Sequence, residues 1–458
     1  MDILLIRPPR PPKAITIGEF MFSEPLGLEA VYRVLKQDHE LLLIDMMVER
    51  SDIEKVLKKY QPRCVGITSL CIDVETILTL ASRIKAVNPG IQIVVGGTQA
   101  QLRPHSFTSP NIDYVMTRST AAGISELFSD LVAGKTPGAI DGVQSKKEGF
   151  AVPKQLQFNE YLIPDRSSTQ RYRHHYSYFG YKPSALLQTS QGCSKCCSFC
   201  LRWRIEGAVE RHQDMSAICR QIADIDEETI MIVDNDFLCD GGRLETLCDY
   251  LKEKRIRKNF ICYSSVHSVL ANKDSVERFA RYGLKAALVG YESHNSKELS
   301  AYNKKCTVTD SKRASEILRG CGIDVWASFI MHPDWSHEDF HSLRKYIRIL
   351  QPEVSSLTPL TPFPGLPYFD TFRDRLLVDE QEYTKWSFGQ VTIRPGKMTL
   401  QAYYLEILKT NLYINLFMNN AMYLVRKFGW KALFRIAHGS LKLTYRYLTL
   451  LIEEKGTG

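Results

Sequence analysis

The first ~140 residues alternate short apolar runs with amphipathic stretches, which predicts strands and helices in regular succession. The apolar runs are Ile3–Ile6, Leu41–Asp45, Cys64–Thr68 and Ile91–Val95, with Tyr114–Met116 as a shorter edge. Helical periodicity fills the stretches near 27–35, 51–60 and 74–87. Near-continuous apolar strands separated by helices indicate a doubly wound, Rossmann-like parallel sheet. Ligands of such sheets lie outside the carboxyl ends of the strands. The turns at Thr68-Ser69 and Gly96-Gly97-Thr98 are therefore the first candidates for a binding site.

Between 131 and about 182 the periodicity fades into Gly, Pro, Ser and basic residues, which reads as a linker or long connection. A second series opens at Ala185–Thr189 and continues with Thr229–Val233, Asn259–Tyr263, Ala286–Val289, Asp324–Phe329 and Val354–Leu357. Six strand and helix pairs fit a partial (β/α)6, TIM-like barrel. After Pro362-Phe363-Pro364-Gly365, a rigid turn, the pattern becomes helical near 399–425 and 429–453. The expected organisation is a doubly wound domain over 1–140, a linker over 141–182, a barrel over 183–370 and a small helical domain over 371–458.

Hydrophobic residues at 44% and charged residues at 24% fit a globular protein. A net charge of +8 over 458 residues does not demand nucleic acid, and the basic run Arg171–Tyr176 is too short to specify it. The opening Met1-Asp2-Ile3-Leu4-Leu5-Ile6-Arg7 lacks the features of an export signal, so a cytoplasmic setting is expected. There, twelve cysteines read as thiols or metal ligands rather than disulfides.

One cysteine run stands out: Gln191-Gly192-Cys193-Ser194-Lys195-Cys196-Cys197-Ser198-Phe199-Cys200. It follows the first barrel strand, on the face where barrels build active sites. Closely spaced thiolates are soft anionic ligands that suit an iron-sulfur cluster. Three of them leave one iron free for another molecule. Either Cys193, Cys197 and Cys200 or Cys193, Cys196 and Cys200 could serve. A structural zinc site is the alternative, but outside this run no Cys-x-x-Cys pair exists.

The Cys-x-x-x-Cys-x-x-Cys spacing, with Phe199 before the last cysteine, resembles the radical S-adenosylmethionine (SAM) superfamily. That resemblance selects Cys193, Cys197 and Cys200 as ligands of a [4Fe-4S] cluster. It also implies SAM on the open iron, reductive cleavage to a 5′-deoxyadenosyl radical, and an electron donor such as flavodoxin or ferredoxin. Asp234 and Asn235 after the second barrel strand, and Glu292 and Ser293 in a Gly-x-Glu-Ser pattern after the fourth, are implied near SAM. Without the resemblance, the same residues read as helix caps.

A doubly wound domain ahead of such a barrel resembles the cobalamin-binding class B radical SAM methyltransferases, over roughly residues 1–370. The matching residues are Ile6–Pro9, Pro25-Leu26-Gly27-Leu28, Gly66–Ser69 and Gly96-Gly97-Thr98-Gln99. The resemblance implies cobalamin contacts from Pro25, Leu26, Gly27, Thr68, Ser69, Gly96, Gly97, Thr98 and Gln99. Two features depart from the pattern. No Asp-x-His-x-x-Gly motif is present, and the family's acidic run after the last strand is here Thr117–Gly123.

The tail interleaves basic residues with aromatics, consistent with packing on the barrel or with peripheral membrane contact. Related enzymes with helical tails act on hopanoids or tetrapyrroles, implying a small-molecule substrate that is lipid-like or tetrapyrrole-like. The sequence therefore implies a cobalamin-dependent radical SAM methyltransferase acting on an unactivated carbon. Its rivals are a non-methylating cyclase or C–C bond-forming radical enzyme and a non-enzymatic iron-sulfur sensor.

Overall fold

A computed structural model describes residues 1–12, 14–15, 21–153, 158–418 and 421–455. Its first sheet is built from β1 (Ile3–Arg7), β2 (Leu41–Asp45), β3 (Cys64–Thr68), β4 (Gln92–Gly96), β5 (Tyr114–Met116) and β6 (Val143–Ser145). The spatial order is β2-β1-β3-β4-β5-β6, parallel except for the final β5–β6 pair. Chain order reverses between β1 and β3, the switch point where doubly wound sheets bind ligands.

Every residue of β1 is buried. Because side chains alternate along a strand, Leu4 and Ile6 enter one helix-covered core while Ile3 and Leu5 enter the other. A sheet covered on both faces explains why the apolar runs are continuous rather than alternating.

The segment expected as a linker is structured. It contributes β6 to the first sheet, and a 3-10 helix at Arg166–His175. Arg173 from that helix contacts Glu24, Glu29 and Glu227, all buried, while Leu186 N donates to Glu24 Oε1 at 2.5 Å. This buried charge cluster ties the first sheet to the barrel.

The second sheet contains β7 (Ser184–Leu187), β8 (Thr229–Ile232), β9 (Asn259–Ser265), β10 (Leu284–Glu292), β11 (Asp324–Met331) and β12 (Val354–Pro359). These six strands pair in sequence, all parallel, and form an open partial barrel because β7 and β12 do not pair. Leu186, Met231, Ile261, Ala286 and Trp326 fill its lumen, with Phe179 4.1 Å from Trp326. The opposite strand faces pack against helices in the largest core. Capping boxes at Thr307/Asp310 and Ser336/Asp339 start two of those helices where the sequence turns polar.

Beyond the barrel come helices Leu400–Tyr413, Ala421–Phe428 and Trp430–Lys455. Among the described residues no helix is long and apolar enough to cross a membrane.

Candidate active site

The carboxyl ends of both sheets open on one cavity of about 990 Å³. Leu26, Gly27, Thr68, Ser69, Gly96, Gly97 and Thr98 line it from the first sheet. Cys193, Cys197, Phe199, Cys200, Asn235 and Glu292 line it from the barrel. Residues separated by more than a hundred positions thus share a single space.

The cysteine loop is held at each end by the backbone. Gly192 has φ 90°, and a Cβ there would lie 2.0 Å from Val209 O, so only glycine fits. Cys193 N then donates to Gly207 O at 3.0 Å, Cys200 N to Cys197 O at 3.0 Å, and Trp203 Nε1 to Cys197 O at 3.0 Å. Asn303 Nδ2 donates to Lys195 O at 3.0 Å and anchors the loop tip.

Cys196 takes φ 45° and lies against Cys193 O at 3.7 Å, outside the cavity lining. Its neighbour Cys197 reaches the cavity. The backbone twist at Cys196 turns this cysteine away from the cavity that Cys193, Cys197 and Cys200 line.

The donor set fits a cluster. Burial pushes the Cys197 thiol up to about 11 and raises Cys193 and Cys200 as well. Such thiols stay protonated at neutral pH until a cation draws out the thiolates. Backbone N–H groups of Lys195 and Arg202 point at the Cys193 and Cys200 sulfurs and favour their ionised forms. Among the described residues no three His, Cys, Asp or Glu side chains converge on one ion. Thiolates that each hold a different corner of a cube need not converge.

On the opposite wall, Gly97 has φ 95°, and a Cβ there would meet Ser69 N at 2.7 Å. Ser69 Oγ donates to Gly96 O at 2.7 Å, locking the two strand-end turns together. Nothing lies within 4 Å of a Cβ built on Gly27, so this wall leaves room for a bulky ligand. The residues present fit a corrinoid in this respect, and among the described residues no histidine lines the cavity to reach its metal.

Four of the predicted contact residues, Asp234, Ser293, Gln99 and Pro25, are not among those that line the cavity. Asp234 is buried beneath the loop, accepting from Thr189 N at 2.6 Å, Thr189 Oγ1 at 2.5 Å and Ser190 Oγ at 2.8 Å. Burial pushes its carboxyl up, against the pull of those donors. Ser293 is fully buried and donates to Glu298 Oε2 at 2.5 Å. Gln99 turns inward to Ser106 Oγ at 3.0 Å, and the Pro25 carbonyl accepts from Leu28 N at 2.8 Å at the helix start. All four support the walls from behind, because each finds its polar partners inside the protein.

Several lining residues carried no motif. Lys304 Nζ pairs with Glu292 Oε1 at 2.8 Å and lies 5.8 Å from the centre of the Phe199 ring. Burial lowers the Lys304 pKa, but Glu292 and then Cys197 more than offset this and hold it above the usual lysine range. Arg202 Nε donates to Asn235 Oδ1 at 2.6 Å, and Asn235 Nδ2 donates to Glu206 Oε2 at 2.7 Å. Lys195 pairs with Asp236, which also accepts from Ser265 Oγ at 2.9 Å. Glu160, from the segment expected as a linker, accepts from Ala121 N at 2.8 Å. It thus supplies a carboxylate beside the Thr117–Gly123 turn, where the sequence has none. The paired lysine and the glycine-x-glutamate turn are the only signals of this group, and they are weak alone.

Known proteins account for this layout. The B12 binding domain family matches residues 20–127, and the Radical SAM superfamily matches residues 187–347. The chain is 26% identical over 398 residues to hopanoid C-3 methylase of Methylococcus capsulatus, covering 85% of this chain and 76% of that protein. It is 20% identical over 415 residues to anaerobic magnesium-protoporphyrin IX monomethyl ester cyclase of Synechocystis sp., covering 85% and 80%. Among solved structures, the cobalamin-dependent S-adenosylmethionine radical enzyme OxsB superposes with a TM-score of 0.70 at 16% identity, covering 96% of this chain and 71% of that one. With Cys193, Cys197 and Cys200 lining the cavity from the first barrel loop and a doubly wound domain facing them, this chain joins a segment that matches the Radical SAM superfamily, residues 187–347, to a segment ahead of it that matches the B12 binding domain family, residues 20–127.

Proposed function

We propose that the protein is a cobalamin-dependent radical SAM methyltransferase acting on an unactivated carbon of a bulky, apolar small molecule. The observation that carries this reading is the shared cavity, which brings the glycine and hydroxyl turns of the first sheet opposite the three cysteines. When bound there, the cluster with SAM supplies a radical able to activate a C–H bond, and cobalamin supplies a carrier for the methyl group.

Cys193, Cys197 and Cys200 hold the cluster in this reading, and Asp234 fixes the base of their loop through Thr189 and Ser190. Glu292, paired with Lys304, accepts hydrogen bonds from SAM, and Asn235 presents a polar edge oriented by Arg202 and Glu206. Leu26, Gly27, Thr68, Ser69 and Gly96–Thr98 receive cobalamin. Tyr161, Leu162 and Phe388 complete the lining of the cavity.

The named activity of the Methylococcus relative supports methylation of a lipid-like substrate. A second reading, ring formation without methyl transfer, rests on the cyclase relatives. A flavodoxin or ferredoxin is the proposed electron source for either.

Anaerobically reconstituted protein with dithionite and SAM should release 5′-deoxyadenosine, whereas an iron-sulfur sensor leaves SAM intact. Methyl-labelled SAM offered with a hopanoid or with magnesium-protoporphyrin IX monomethyl ester then separates the readings. Label in the product supports methyl transfer, and an unlabelled cyclised product overturns it.

A further inference from the structure

Among the described residues, the longest helix presents an apolar face that the others leave uncovered. Trp430, Phe434, Leu441, Tyr445, Leu448 and Ile452 are between 46% and 72% exposed. Their spacing is i, i+4, i+11, i+15, i+18 and i+22, which at 3.6 residues per turn confines all six to an arc of about 60°. Scattered exposed apolar residues are ordinary, but a continuous stripe along one helix marks an interaction surface. The helix docks by a different face, since Tyr447 and Leu451 are buried in the main core.

The charge beside the stripe identifies the partner. Lys431, Arg435, Lys442 and Arg446 fall about 100–160° around the helix from Trp430, alongside the apolar arc. Arg435 also shares a cavity of about 230 Å³ with His175 and Lys182, and among the described residues no acidic one lines that cavity. We propose that the Trp430–Lys455 helix lies in the plane of an anionic membrane surface, with its apolar stripe inserted and its basic edge against the lipid phosphates. Aromatic residues favour this boundary, and basic residues add attraction to anionic lipid. Pairing with a second copy would instead bring two cationic edges together, which like-charge repulsion opposes.

This inference does not depend on the reaction. It places the protein where a lipid-like substrate resides, but the surface stands whichever radical chemistry the cavity performs.

Vesicle flotation of the full-length, cluster-loaded protein tests it, with vesicles of phosphatidylcholine alone or with added phosphatidylglycerol. Binding should require phosphatidylglycerol and weaken at high salt. Neutralising Lys431 and Arg435 to Gln should lower partitioning about fivefold per residue. Replacing Phe434, Tyr445 and Ile452 with Ser should abolish it while far-ultraviolet circular dichroism stays unchanged, as expected for exposed side chains. Absence of binding to either vesicle overturns the proposal. So does a concentration-dependent dimer that these Ser substitutions dissociate in the absence of vesicle binding.

Discussion

Lys304→Met removes the partner of a buried carboxylate beside the cysteine loop. The Lys304 and Glu292 side chains are 11% and 8% exposed and 2.8 Å apart. At an effective dielectric constant of about 20, that separation corresponds to roughly 6 kcal/mol of attraction before desolvation is subtracted. Breaking one side of such a pair costs about 3–5 kcal/mol, because the remaining charge stays buried and unpaired. For a unit of this size that is a fall in melting temperature of about 6–20 °C. Thermal unfolding followed by circular dichroism measures it. Adding Glu292→Gln to the same chain should recover most of the loss, since it removes the orphaned charge. An unchanged Lys304→Met melting temperature, or a double variant no more stable than the single one, refutes the claim that the two side chains act as a buried ion pair.

Other perturbations separate neighbouring roles. Cys197→Ala should reduce iron and sulfide in reconstituted protein to background, whereas Cys196→Ala should keep the wild-type content, as measured by iron analysis and visible absorbance. Gly27→Leu fills open space with a better helix former, so the melting temperature should hold or rise while cobalamin no longer co-elutes on anaerobic gel filtration. Gly290→Ala should weaken SAM binding at least tenfold by calorimetry, because the new Cβ falls 2.2 Å from Glu292 Oε1 and 2.9 Å from Lys304 Nζ. Glu406 tests the attachment of the helical tail: despite burial, Lys409, His337 and Arg344 hold its carboxyl down to about 2. A depressed carboxylate stabilises the fold above its unfolded pKa of about 4.5 and loses that contribution as pH falls toward 2, roughly 3 kcal/mol in all. Glu406→Gln should therefore flatten the acid limb of the stability profile between those values, and an unaltered limb counts against the attachment.

The strands of the first sheet were legible because that sheet is covered on both faces and its apolar runs are nearly unbroken, whereas Val354–Pro359 in the barrel is only half-buried and carries Ser355 and Ser356. The cysteine loop was legible because its cysteines lie within eight residues of one another in sequence. Other features depend on contacts between distant residues, and local pattern does not report those. Lys304 is one polar residue in Tyr302-Asn303-Lys304-Lys305, and only the fold sets it against Glu292. Asp234 carries the signature of a strand-end ligand group, yet the fold turns it beneath the loop to satisfy Thr189 and Ser190. The 141–182 segment looks unstructured because its order comes from β6 pairing and from Arg173 meeting three glutamates far apart in sequence.

The physical basis of the account is that one cavity holds both cofactor walls. Electron paramagnetic resonance of protein loaded with cob(II)alamin and a reduced cluster tests this directly. Dipolar coupling between the two spins is expected, and this coupling should disappear in Cys197→Ala. Two independent, uncoupled spectra from fully loaded protein would contradict it.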